Sequence, residues 1–459
     1  MMGRDEKDQG QFFYAFDLDD HIPKDHLLRS IDHFLDLSGL HDHLAPYYSH
    51  TGRPSIDPEL MMRMLIIGYC YGIRSERRLC EEVQLNLAYR WFCRLSIEDT
   101  VPDHSTFSKN RHGRFREAEA FRFVFEQVLE RCFAEGLVGG EGFAVDASLV
   151  RADASPRRHH EDDDDNWGGG SRAVDEYLNS LDRSIPEGGE APKNVSQTDP
   201  ASRWAAARSK ETFYAYSTNY LIDTEAGIIM DVEATPANRT FEVDSARTMM
   251  ERVEERFELK PQKLIGDTAY GKAEMLGWLV DEQGITPHIP VWDKSEENDE
   301  LFGRSDFTWE AEANRYQCPG GKSLLHNRRK FKKKRSHITK AKTIIYRASK
   351  KDCDRCAMKA RCCPGKEPRK IARSIHEDAR DLARSLATTE AFEESSNKRK
   401  KVEMLFGHMK KILKVDRLRL RGLSGARDEF LLTATAQNLR RMAQWLGTGP
   451  PAALAGAVP

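Results

Sequence analysis

No apolar run in these 459 residues is long enough to span a bilayer. The longest, such as Met64-Leu-Ile-Ile-Gly-Tyr-Cys70, falls far short of the ~20 residues that a membrane helix needs. The first twenty residues are polar and acidic and lack the apolar centre of a secretory leader. The expectation is a cytoplasmic protein with no membrane partner. Cysteine is scarce: nine residues, mostly scattered, fit a reducing compartment better than a disulfide framework. Net charge is nearly absent as well, at -2. That balance conceals blocks of opposite sign, Glu161-Asp-Asp-Asp-Asp165 and Arg328-Arg-Lys-Phe-Lys-Lys-Lys-Arg335. The total therefore excludes nothing about nucleic acid, and the local blocks decide. The glycine-rich stretches Gly139-Gly140 and Gly168-Gly-Gly170 lack both the P-loop lysine and the dinucleotide spacing, so no nucleotide cofactor is implied. No internal repeat is present.

What is present is ordered along the chain. Residues 21 to about 136 read as short helices with tight connections. Asp57-Pro58 is a cap followed by proline at the first helical position, Ser75 caps the next helix, and Asp103-His-Ser-Thr106 offers another start. Such a bundle suits a helix-turn-helix variant, and Arg74, Arg77, Arg78, Lys109, Arg111 and Arg114, if exposed, suit phosphate contacts. A strand over 141–150 follows, then a polar excursion over 152–202, read as partly disordered, with His159-His160 inside it. Strands at 218–222 and 227–232, a helix over 244–257, a strand ending at Asp267, a helix near 273–282 and a strand at 286–291 complete a mixed sheet flanked by helices. A small β-rich, cysteine-bearing and basic insert occupies 292–394. A helix carrying Glu403 and a closing helix occupy 395–446, and 447–459 form a tail read as disordered. The 1–136 segment is the all-α N-terminal domain, and 137–291 with 395–446 is one α/β core.

Three acids stand out in this frame. Asp146 lies inside the apolar run Phe143-Ala-Val-Asp-Ala-Ser-Leu149, and Asp267 ends Lys263-Leu-Ile-Gly-Asp267. A carboxylate in a buried strand is costly unless something pairs with it. Glu403 sits in the basic stretch Lys398-Arg-Lys-Lys-Val-Glu-Met-Leu-Phe-Gly-His-Met-Lys-Lys411. At about 100° per residue, Arg399, Glu403, Gly407 and Lys410 share one helix face. Val402, Leu405, Phe406, Met409, Ile412 and Leu413 share the neighbouring one. Lys414, Arg417, Arg419 and Arg421 prolong the positive strip. Two carboxylates in strand contexts and a third in a cationic helix suggest a divalent-metal site facing a polyanion. Gly407 costs this helix on the order of 1 kcal/mol relative to alanine, a cost explained if a bulky ligand approaches the backbone.

Cys353-x-x-Cys356 and Cys362-Cys363, with Cys318 upstream in Cys-Pro-Gly-Gly, offer four thiolates for tetrahedral Zn²⁺. The simplest set is Cys318, Cys353, Cys356 and Cys362 or Cys363. The upstream half holds one cysteine rather than two, so structural zinc and free thiols in a small β insert both remain open. Cys70, Cys80, Cys93 and Cys132 lie on apolar helices and read as core.

His50-Thr-Gly-Arg-Pro54, Arg90-Trp-Phe92, Pro102-Asp-His-Ser-Thr-Phe107, Val145-Asp-Ala-Ser148, Gly266-Asp-Thr-Ala-Tyr-Gly271, Arg399-x-x-x-Glu403-x6-Lys410 and Thr435-Ala-Gln-Asn-Leu439 together resemble bacterial insertion-sequence transposases of the DDE class, the branch with a helical N-terminal domain. The resemblance covers most of the chain. It implies an RNase H-like core whose triad is Asp146, Asp267 and Glu403, holding Mg²⁺ or Mn²⁺, with Lys410 and Arg399 positioning phosphates. The partners it implies are double-stranded DNA (terminal inverted repeats and target) and further copies of the chain in a synaptic homo-oligomer. The family's tyrosine three residues before the arginine is Ser396 here. Cysteine-bearing inserts also occur in similar transposases. A metal-dependent nuclease without strand transfer, and a domesticated DNA-binding protein, are the alternatives, and the presence of all three acids opposes the second.

Overall fold

The computed structural model describes residues 16–49, 51, 55–157, 159–160, 171–179, 194–206, 211–292, 301–326 and 336–445. Most of the His50–Pro54 motif, the acidic run 161–165, glycines 168–170, the basic block 328–335 and the tail 447–459 lie outside them. By contact the chain forms two units. The first comprises Met1–Gly140, Asp146–Leu259 and Lys401–Pro459, and the second Glu141–Val145 and Lys260–Lys400.

The first unit opens with helices α1 (Leu18–His21), α2 (Leu27–Phe34), α3 (Leu40–Leu44), α4 (Pro58–Cys70), α5 (Glu76–Leu85), α6 (Leu87–Phe92), α7 (His104–His112), α8 (Arg114–Glu117) and α9 (Ala120–Ala134). Local chemistry starts several of them. Asp57 accepts the Glu59 N–H at 2.8 Å ahead of Pro58, Ser75 accepts the Arg78 N–H, and Asp103 accepts the Ser105 N–H at 2.9 Å. Helix α4 is buried almost all round. Its one arginine, Arg63, is held by Asp32 and Glu59, each at 2.8 Å.

Strand β1 (Gly142–Arg151) follows. Its residues 142–145 are sealed and its residues 146–149 are partly open. The excursion contains more structure than its polarity suggests. Beyond the paired β2 (His159–His160) and β3 (Val195–Ser196), α10 (Arg172–Asn179) buries Ala173, Val174 and Tyr177, and β4 (Arg203–Ala206) pairs with β5 (Thr212–Asp223). Strand β5 turns into β6 (Ile229–Pro236) through an antiparallel hairpin, and α11 (Arg239–Phe257), capped by Asn238, packs on both. Strand β5 neighbours β1, and the Ala152 N–H reaches the Tyr214 carbonyl at 2.9 Å.

In the second unit, the first residues of β1 run parallel to β7 (Lys263–Ile265), with Ala144 opposite Ile265. Strand β7 runs parallel to β8 (Thr286–His288), with α12 (Ala273–Gly277) between them in sequence. A separate antiparallel sheet then forms from β9 (Thr308–Glu310), β10 (Arg315–Gln317), β11 (Ser323–Leu325), β12 (Thr343–Arg347) and, after α13 (Lys350–Asp354) and α14 (Lys359–Cys362), β13 (Lys370–Ser374). Its core is a small aromatic cluster of Phe307, Tyr316, Leu324 and Tyr346, with Trp309 against Tyr316 at 4.8 Å between rings. Helix α15 (Glu377–Leu386) packs on α12.

Helix α16 (Glu390–Lys411) begins earlier than its basic run indicates, because its first turns are polar and carry no apolar period. Helix α17 (Leu423–Trp445) is the spine of the first unit, packing on α2, α4, α9 and β6. Its Thr435-Ala-Gln-Asn-Leu439 run is explained by buried amides. Asn438 donates to the Ile229 carbonyl and accepts the Ile229 N–H, both at 2.9 Å. Gln437 donates to the Leu405 carbonyl and accepts the Tyr220 hydroxyl, both at 2.8 Å. None of the helices among the described residues is long and apolar enough to cross a membrane.

Asp199, within the excursion, is fully buried, and its Oδ1 accepts the Tyr216 hydroxyl and the Gly422 N–H. Burial pushes its carboxyl up to about 7 against the pull of these two donors. The folded chain therefore keeps a proton that the unfolded chain, near 3.8, releases. This contribution is present below the lower value and is lost as pH rises toward the upper one. Denaturant titrations across pH 4 to 7 should show native stability falling by up to roughly 4 kcal/mol more in the wild type than in Asp199→Asn. Parallel profiles would contradict this assignment.

Candidate functional site

Asp146 is the first residue of β1 to leave the sealed part of the strand, and its Oδ1 accepts the Ala147 N–H at 2.8 Å. Two residues on, and so on the same strand face, Ser148 accepts a hydrogen bond from Lys410 Nζ at 2.7 Å. Burial draws the Lys410 ammonium below its ordinary pKa, opposed by the nearby charge of Asp416. This tie between β1 and α16 spans 262 residues and lies wholly within the first unit. The sequence singled out Ser148 only as part of a motif and gave it no partner.

Glu403 is exposed on α16, while Val402, Phe406 and Met409 on the adjoining face are sealed. Phe406 packs against Tyr220 at 4.8 Å between ring centroids. The expected apolar face is only partly realised. Ile412 is 52 % exposed because the helix ends at Lys411 and Lys414 takes a positive φ, so the wheel no longer applies. Arg399 precedes Glu403 by one turn and is half-buried.

Asp267, in the second unit, follows β7 and starts a single 3₁₀ turn, Thr268–Tyr270, by accepting the Ala269 N–H at 2.8 Å. Gly271 closes that turn against Pro290. A Cβ there would lie 2.0 Å from the Pro290 carbonyl oxygen, so only glycine fits. Among the described residues, no group of three or more His, Cys, Asp or Glu side chains stands as a ready set of metal ligands.

The basic residues separate into two groups. Arg74 is buried against Glu429, and Arg111 is buried against Glu76 at 2.6 Å, so neither is the exposed phosphate contact expected of it. Arg78 pairs with Glu82 at 3.1 Å, and Arg114 covers the Tyr48 ring at 4.2 Å. Arg77 and Lys109 are exposed. Beyond α16, Arg417 and Arg421 both pair with Asp153 at 3.0 Å, which offsets part of the positive strip. The backbone of His159-His160 pairs with β3, and its side chains lie outside the described residues.

The cysteines of the second unit gather around the aromatic cluster. Cys318, Cys353 and Cys362 pack against it. The Cys318 Sγ accepts the Lys322 N–H at 3.3 Å, and a Cβ on Gly320 would touch both Cys318 Sγ (3.6 Å) and Cys356 Sγ (3.7 Å). Burial first, then contact with the Cys363 thiol, raises the Cys362 thiol to about 11, and Cys353 is raised for the same two reasons. Cys70, Cys93 and Cys132 are core residues, and Cys80 is half-buried.

A Cβ on Gly407 would meet nothing within 4 Å, so no packing within the chain requires glycine there. Gly407→Ala is expected to raise stability by about 0.5–1 kcal/mol in denaturant unfolding. A destabilised variant would show that the helix needs the bare backbone.

Comparison with known families places these features. Residues 16–113 match the family described as Transposase domain (DUF772), and residues 317–443 match that described as Transposase DDE domain. The second match contains Arg399, Glu403, Lys410 and the Cys318–Cys363 segment, whereas Asp146 and Asp267 lie outside both. No curated protein and no solved structure matches the chain. A transposase domain in the helical N-terminal region and a DDE transposase domain toward the end of the chain together support an insertion-sequence DDE transposase.

Proposed function

We propose that this transposase cleaves DNA at the terminal inverted repeats of its element and joins the ends to target DNA, using Asp146, Asp267 and Glu403 as its catalytic carboxylates. The observation that carries this reading is the Lys410–Ser148 hydrogen bond at 2.7 Å. Lys410 shares its helix face with Glu403, and Ser148 shares its strand face with Asp146, so this contact supports a common site for the two acids. The third member rests on the resemblance of Gly266-Asp-Thr-Ala-Tyr-Gly271 to the family's motif. The β5–β6 hairpin beside β1, followed by strands parallel to it, supports an RNase H-like core over 137–291 and 395–446. On the same reading, 1–136 is a DNA-binding domain and 292–394 an insertion.

The donor set suits Mg²⁺ or Mn²⁺, since carboxylate oxygens are their preferred ligands and a main-chain N–H orients each aspartate. Such ions supply Lewis-acid charge at the phosphate and lower the pKa of bound water. The chain's own part is placement. Lys410, fixed by Ser148, and Arg399, one turn before Glu403, neutralise the non-bridging oxygens of the scissile phosphate as charge builds. Water attacks phosphorus in line and the 3′ oxygen leaves as a hydroxyl. That hydroxyl then attacks a target phosphodiester, the target strand's own 3′ oxygen leaves as a hydroxyl, and no covalent protein–DNA intermediate forms. Handling two ends together calls for a homo-oligomer, acting on DNA in a bacterial cytoplasm.

Asp146→Asn, Asp267→Asn and Glu403→Gln should each lower cleavage by on the order of 10³-fold or more, about 4 kcal/mol of barrier, and leave binding to end DNA intact. Full strand transfer from a precleaved end by any of the three would overturn the assignment.

Cys318, Cys353, Cys356 and Cys362 would hold a structural Zn²⁺, a fit supported by the N–H bond to Cys318 Sγ and the approach of Cys356 to the same turn. Metal analysis of protein purified without chelator should give about one zinc per chain, lowered by Cys356→Ser. A value near zero in the wild type removes the proposal.

A further inference from the structure

A cavity of about 210 Å³ lies within the first unit, bordered by α4, α5, α7 and the segment before α17. Three arginines line it, Arg74, Arg111 and Arg419, with two carboxylates, Glu76 and Glu429. Three positive against two negative charges leave one positive charge over. The carboxylates are already engaged. Glu429 accepts the Arg419 and Leu420 N–H groups on Oε1, each at 2.6 Å, and the Arg74 guanidinium on Oε2. Glu76 accepts Arg111 Nη1 at 2.6 Å. The Arg74 guanidinium also lies over the Tyr69 ring, 4.3 Å from its centroid.

The side chains of Arg74 and Arg111 are each only 8 % exposed, yet each keeps a buried Nε–H with no acceptor. An orphaned buried donor is costly, and native structures seldom leave one without a partner. Both arginines line the same cavity, whose charged side chains sum to one surplus positive charge. We infer that this cavity is an oxyanion site that takes a phosphate group, matched in charge to a phosphodiester. The guanidinium fork suits phosphate oxygens, and the two unused N–H groups supply the donors. The site stands apart from the catalytic reading, since none of the three acids lines it.

The test is thermal unfolding of the full chain in inorganic phosphate against chloride at matched ionic strength. Phosphate should raise the midpoint saturably, as a ligand of the native state does. Arg419 is exposed, so Arg419→Gln spares the buried pairs. It should weaken the apparent phosphate affinity about tenfold, as loss of one charge-assisted contact implies. Arg111→Lys keeps the charge beside Glu76, removes the Nε–H, and should weaken it similarly. A short duplex that competes with phosphate in the wild type, and not in Arg419→Gln, identifies the DNA backbone as the source. Phosphate binding without such competition identifies free phosphate. No saturable effect above chloride, or a phosphate effect in both variants equal to that in the wild type, would overturn the inference.

Discussion

A carboxylate cannot remain in a strand sealed on both faces unless water or a partner reaches it. Strand β1 meets that constraint by changing character at one residue. Phe143, Ala144 and Val145 are completely buried, and from Asp146 to Leu149 the strand is partly open. The acid therefore stands where a rigid, core-anchored element first meets solvent. A rigid mount of this kind gives a carboxylate a fixed direction without leaving its charge uncompensated in the interior.

The other elements of the first unit serve that position. Helix α16 seats Val402, Phe406 and Met409 in the core and presents Glu403 outward, while Lys410 is held to β1 through Ser148. Helix α17 fixes α16 in turn, because Gln437 bonds the Leu405 carbonyl, and it fixes the hairpin through the paired bonds of Asn438 to Ile229. These are polar contacts in a buried setting. Each removes a main-chain group from the unsatisfied count and specifies one register, which apolar packing alone does less sharply. The helical N-terminal region joins the same spine through the buried Arg74–Glu429 pair.

Much of this was legible where the governing physics is local. The Asp57-Pro58, Ser75 and Asp103 starts are set by side chains one to three residues from the groups they cap, and each forms as read. Strand β1, the β5–β6 hairpin and the amphipathic face of α16 follow from period and turn chemistry. What escaped the sequence depends on distant partners. Arg74 reads as an exposed phosphate contact until Glu429, 355 residues away, is known to meet it. Ser148 has no visible role until Lys410 arrives. Helix α10 and Asp199 were hidden in a polar excursion, because only a few apolar residues anchor them and composition averages those away. Ile412 was misassigned to the apolar face because a helical wheel carries no information on where the helix stops.

The most direct measurement is an anomalous difference map from crystals of the full chain with an end duplex and Mn²⁺. The account predicts metal density held jointly by the carboxylates of Asp146, Asp267 and Glu403. Metal bound to only one of them, or elsewhere in the chain, would contradict it.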